Sequence, residues 1–221
     1  MMVTLVFSRA ATRWSHDHVV VRNAAYVALA HSRSSGLVIA LVQPDSTLRS
    51  DGNSLFLFAK RPEWTRVAKM HASNEGDALE PHLSLADGTG SLSWITAISY
   101  AGGERRETRA VTGNLMSPRA TRVTVDSAVG DASVALSQGR APYLWAVDHR
   151  GPEGRQIRIV ASTTGGTQVL TAIPNPYTGY FGATSVEGTE IWLAGPLLER
   201  DRVVTLLIRI GIQCPAPGRK G

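Results

Sequence analysis

The sequence predicts an all-β chain, built like a β-propeller from about four four-stranded blades, with an incomplete or truncated ring. Three observations predict it. Period-2 alternation rich in β-branched residues dominates the 221 residues, and capped helical periodicity is almost absent. A unit of turn-separated strands recurs, as in "SLSWITAISYAGGERRETRAV", "PYLWAVDHRGPEGRQIRIVAS" and "TEIWLAGPLLERDRVVTLLIRI". The tryptophans of the second strands, Trp94, Trp145 and Trp192, stand 51 and 47 residues apart. That spacing suits blades of four short strands rather than helical repeats.

Taken in order, residues 1–21 read as the outer half of a blade, because "TLVFSRAATRW" repeats the pattern of "LFLFAKRPEW". Residues 22–73 form the first full blade. Its opening segment "NAAYVALAHSR" is read as a strand despite its alanines, since its neighbours pair with it in the repeat. Blades over 80–126 and 131–173 follow, then a partial blade over 180–213 without a clear fourth strand, and a tail over 214–221. The whole of 1–213 is read as one domain. In each blade the second-strand tryptophan is expected to lie between adjacent sheets, where a large flat ring fills the gap. "ADGTG" at 86–90 reads as a plain hairpin turn.

A net charge of +5 does not make this a nucleic-acid binder. Lysine occurs only at Lys60, Lys69 and Lys220, and the arginines are interleaved with acids, as in "GGERRETR" and "LLERDRVV". Those segments read as solvated strand edges or turns, and no basic stripe with stacking aromatics is present. The single cysteine, Cys214, excludes an intrachain disulfide. "VVTLLIRIGI" is interrupted by Arg209 and far shorter than the roughly 20 residues of a membrane span, so no membrane insertion is expected. The apolar run of "MMVTLVFSRAATRW" stops at Ser8 and Arg9, so no signal peptide is expected in this chain. The compartment stays open, a periplasmic or secreted parent being one option.

The rhythm "EPHLSLADGTGSLSWITAISY" (proline, inner strand, glycine-containing turn, Trp-bearing strand) resembles a blade of the sialidase-like or BNR-type propellers. The resemblance covers most of the chain and rests on pattern. The family's Asp-box, Ser-x-Asp-x-Gly-x-Thr-Trp, is absent: "LADGTGSLSW" has Asp87, Gly88 and Trp94 at another spacing. The Arg-Ile-Pro motif is also missing. The resemblance therefore implies the fold and disfavours sialidase activity.

In a propeller, ligands meet the end of the channel where innermost strands begin. Here those positions carry Arg22, Glu80 with His82, Asp131 and Tyr180. The resemblance implies roles for four of them: Arg22 would hold a carboxylate, Tyr180 with Glu80 would supply the nucleophile, and Asp131 would act as acid/base. In "NPYTGYFG", residues 175–182, Tyr177 and Tyr180 are expected to be exposed and to stack on a sugar ring or peptide, with His82 as a further ligand contact. His16 and His18 of "SHDH" share a strand face but lack a third ligand, so no metal site is assigned. No nucleophile elbow, Walker loop or dinucleotide fingerprint occurs, and no cofactor is expected.

The expectation is a non-catalytic binding or scaffold module for a glycan or protein ligand. The alternatives are a glycoside hydrolase of the sialidase type and a truncated fragment without independent activity. An unclosed ring would also leave sheet edges exposed for self-association.

Overall fold

The computed structural model describes residues 3–10, 13–44, 52–61, 63–117, 120–136, 139–163, 166–186 and 190–211. For 3–22, 61, 131, 163, 185 and 186 it describes the backbone alone, so the side chains of Arg22, Asp131, His16 and His18 lie outside it, as does the tail over 214–221.

The chain is all-β. A hairpin of β1 (Val3–Ala10) and β2 (Arg13–Arg22) stands as its own two-stranded sheet. The first blade-like sheet holds β3 (Tyr26–Ser32), β4 (Gly36–Pro44), β5 (Asn53–Arg61) and β6 (Glu63–His71). A 3-10 turn, Ser73–Glu75, leads to the second sheet: β7 (Asp77–Ala86), β8 (Thr89–Tyr100), β9 (Gly103–Gly113) and β10 (Thr121–Asp126). The third sheet holds β11 (Val129–Ala135), β12 (Leu144–Gly151), β13 (Gly154–Thr163) and β14 (Gly166–Pro174). The last has three strands: β15 (Gly182–Val186), β16 (Glu190–Glu199) and β17 (Arg202–Gly211). Every sheet is an antiparallel meander in sequence order, and the first strands β3, β7, β11 and β15 neighbour one another in turn.

Tight turns set the registers. Asp87 and Gly88 join Ala86 to Thr89, with φ 80° at Gly88, where a residue without Cβ turns the chain cheaply. Arg200 and Asp201 join Glu199 to Arg202 with φ of 45° and 66°, the paired left-handed turn that matches hairpin twist.

Alternation along each strand builds the stack. In β4, Val38, Ala40 and Val42 pack with Leu92 and Trp94 of β8 and Val111 of β9, while Ile39 and Leu41 belong to a separate cluster with Ala24, Phe58 and Trp64. On the far face of the second sheet, Ile95 and Ala110 meet Trp145, Val147 and Val160 of the third. Leu144, Ala146, Ile157 and Ile159 then face Ile191 and Leu193 of the last sheet. β8 and β12 are buried on both faces, so their runs "SLSWITAISY" and "PYLWAVDH" are rich in apolar residues at both parities, and polar side chains within them, Ser91, Ser93, Thr96 and Asp148, are buried as well.

Trp94 and Trp145 lie between sheets as expected, 3% and 0% exposed. Trp192 does not. Ile191 and Leu193 take the inward positions of β16, so the ring between them points to the outer face and is 38% exposed. There Trp192 Nε1 donates to Glu190 Oε1 (2.6 Å), and the Arg209 guanidinium lies 5.9 Å from the ring.

Two inner strands bulge at matching places. Glu80 and Pro81 of β7 together face Trp94, and Gly130, Asp131 and Ala132 of β11 face Asp148.

Candidate functional site

The strand-entry residues of the sequence reading sit on the inner strands or the loops that lead to them. Glu80 occupies the β7 bulge with φ 48°, a left-handed conformation that a non-glycine residue adopts at some cost. Two residues on, His82 is half-buried, and burial pushes its pKa below the ordinary value. Asp131 lies in the matching β11 bulge, and Arg22 ends β2. Tyr180 precedes β15 and is 59% exposed.

Tyr177 corrects the expectation of two exposed tyrosines. It is 2% exposed, packed in the cluster between the third and last sheets, with its ring 5.7 Å from that of Phe181. Gly195 makes room for it: a Cβ there would lie 2.7 Å from Tyr177 Cδ1. Burial also raises the pKa of its hydroxyl. Tyr177 therefore anchors the loop, and only Tyr180 is offered to solvent.

A buried carboxylate holds that loop. Asp148 is fully buried and accepts from Arg155 Nη2 at Oδ2 (2.8 Å), and from Arg155 Nε (3.3 Å) and Asn175 Nδ2 (2.7 Å) at Oδ1. Arg155 Nη1 donates to the Tyr177 carbonyl (3.3 Å), and Tyr177 N–H donates to Asn175 Oδ1 (2.9 Å). Gly130 is required beside it, because a Cβ there would lie 2.1 Å from Asp148 Oδ2.

Of the four sequence-derived residues whose side chains are described, Glu80, His82, Tyr177 and Tyr180, none lines the largest of the three clefts. That cleft, about 450 Å³, opens between the second and third sheets and is lined by Tyr100, Glu104, Arg105, Arg106 and Arg150 with residues 127–130. Tyr100 is 59% exposed. Arg106 Nε donates to Glu104 Oε1 (2.7 Å), and Arg105 Nη2 lies 2.9 Å from Glu107 Oε1. The cleft wall is fixed from behind. Asp126, buried, accepts from the Ala128 N–H (2.8 Å) and faces His149 Nδ1 with both oxygens at 3.0 Å. Arg150 N–H donates to the Ala128 carbonyl (2.7 Å), binding the third sheet to the same turn.

A smaller cavity of about 220 Å³ lies beside the 3-10 turn, lined by Glu75, Trp94, Arg109 and Arg122 among others. Its charges are largely compensated: Arg109 Nη1 donates to Glu75 (2.9 Å) and Nε to Glu107 (3.2 Å). Behind it His71, 2% exposed, donates Nε2–H to the Gly76 carbonyl (2.8 Å). Burial is the main cause that lowers its pKa.

His71 and His82 together give a pH dependence. In the unfolded chain both take up a proton near 6.5, and in the fold only at lower pH. Between those values the unfolded state binds more protons, so stability is full above 6.5 and falls as the solution is acidified toward the folded values. The melting temperature is expected to drop between pH 7.5 and pH 5.5, and the double variant His71→Gln/His82→Gln should flatten that drop. An unchanged slope in the variant would remove these two residues from the account.

Sequence reasoning set aside "GGERRETR" as a solvated edge. What it missed is that the β8–β9 hairpin end and the end of β12, "DHRGPEGR", converge at one cleft. The recurring turn positions of adjacent blades carried that signal.

No family model and no curated protein matches the chain. Among solved structures, MPT-4, a mannose phosphorylase from Leishmania mexicana in complex with phosphate ion, is similar over 85% of this chain and 67% of its own, at 11% identity and a TM-score of 0.44.

Proposed function

We propose that this chain is a non-catalytic binding module that takes an acidic glycan in the cleft between the second and third sheets. One observation carries the reading: an exposed aromatic ring, Tyr100, shares a cleft of about 450 Å³ with Arg105, Arg106 and Arg150. Guanidinium forks match carboxylates in geometry and charge, and a flat aromatic face suits the C–H face of a sugar ring. The size falls within the roughly 300–1,000 Å³ of small-ligand sites. Glu104, already paired with Arg106, marks where a ligand carboxylate would compete.

The test is calorimetric titration with a uronic-acid disaccharide and its neutral methyl ester. The acid should bind and the ester should not, and Arg106→Ala/Arg150→Ala should weaken binding at least about tenfold, the loss of a charge-assisted pair. Equal binding of acid and ester, or an unaffected double variant, would sink the reading. The sialidase-type alternative puts its chemistry on Arg22, Glu80, Asp131 and Tyr180 instead. Release of a reporter group from a sialoside, abolished by Glu80→Gln, is the result that would favour it.

A further inference from the structure

The outer strands of the blade-like sheets differ in one respect. Each fourth strand carries its own register shift against its neighbour: β6 passes over Val67 and Met70, β10 over Val125, and β14 over Leu170. Such bulges twist an edge and spoil it as a template for a further strand. β17 is the outer strand of the last sheet among the described residues, and it pairs with β16 in unbroken register from Glu190↔Gly211 to Glu199↔Arg202. The third strands β5, β9 and β13 are equally regular against their second strands, and each is covered by a fourth. β17 thus has the build of a covered strand, and no described strand covers it. Its centre, Val203–Ile208, is also free of charge and proline, with Val203 72% and Leu207 63% exposed.

We propose that β17 pairs antiparallel with β17 of a second copy of this chain. The two-residue turn at Arg200 and Asp201 makes Glu199 and Arg202 a hydrogen-bonded pair. Val203, Thr205, Leu207 and Arg209 therefore turn their N–H and C=O groups to the open edge. A twofold axis at Thr205 joins these groups to one another, with Val203 opposite Leu207 and Thr205 opposite its own copy. The same register brings Asp201 of each chain toward Arg209 of the other, whose guanidinium is held by Glu190 of its own chain (2.9 Å) and would bridge the two carboxylates. The axes that pass through Val203 or Leu207 do not bring Asp201 to Arg209. The antiparallel sense is the one that every strand pair in the described sheets follows.

Sedimentation equilibrium of the intact chain should show a monomer–dimer equilibrium. Thr205→Pro removes a donor that faces the partner and not β16, so its circular dichroism melt should remain cooperative while dimer dissociation rises at least a hundredfold. Asp201→Asn keeps a side chain that tolerates the left-handed turn; it should weaken the dimer several-fold at low salt and much less at high salt. A chain that stays monomeric at millimolar concentration overturns the proposal. So does a dimer indifferent to a folded Thr205→Pro variant, which would place the contact on another surface.

Discussion

Trp145→Ala lowers the unfolding free energy by about 3–5 kcal/mol, and Trp192→Ala by less than about 1 kcal/mol. The two residues come from the same place in the repeat and differ in what lies over them. Trp145 is completely enclosed with Ile95, Ala110, Val125 and Val160, side chains fixed on two sheets that cannot close over a void of that size. Trp192 faces outward, and its removal loses the hydrogen bond to Glu190 and the stacking of Arg209, both in reach of water. Urea unfolding followed by far-ultraviolet circular dichroism measures both. Comparable losses at the two sites would mean that the outer face of the last sheet is covered in solution.

Arg155→Ala is expected to cost about 3–5 kcal/mol, because it takes a paired guanidinium away from a fully buried carboxylate. Asp148 would keep Asn175 as a donor but lose the charge-assisted hydrogen bonds from Arg155, and the Tyr177 carbonyl would lose one partner. The variant's stability should recover partly in acid, where Asp148 can protonate, a reversal that simple loss of packing would not produce. Arg158→Ala is the comparison: its shortest pair is with Glu153, half-exposed at the β12–β13 turn, and Asp126 lies farther off at 3.9 Å, so its loss should cost less than that of Arg155. Equal effects at the two arginines would show that Asp148 is not the charge that matters.

The strands were legible because alternation and turn chemistry are local. "NAAYVALAHSR" became β3 against its alanines, since pairing with β4 along its whole length outweighs a weak helix preference. The inward tryptophans were legible as well, but only to the nearest residue. In "EIWLAG" both neighbours of Trp192 are as apolar as the ring, so counting cannot tell which parity faces the third sheet. A slip of one residue reverses the face. Tyr177 was misread for another reason: its burial depends on the missing side chain of Gly195, a neighbour in space only. The cleft escaped notice because Arg106 and Arg150 come from different sheets, and each alone looks like an ordinary solvated turn residue.

The apolar contacts of this chain form separate clusters between successive sheets, not one continuous core. Its energetics are accordingly those of a short one-dimensional array, in which each unit is stabilised by the unit before and the unit after. Damage to one interface stays with the two sheets that share it. The outer face of the first sheet carries a further buried cluster around Ile39 and Leu41, whereas that of the last sheet leaves Trp192, Val203 and Leu207 open to solvent, so among the described sheets the last is where such an array frays first.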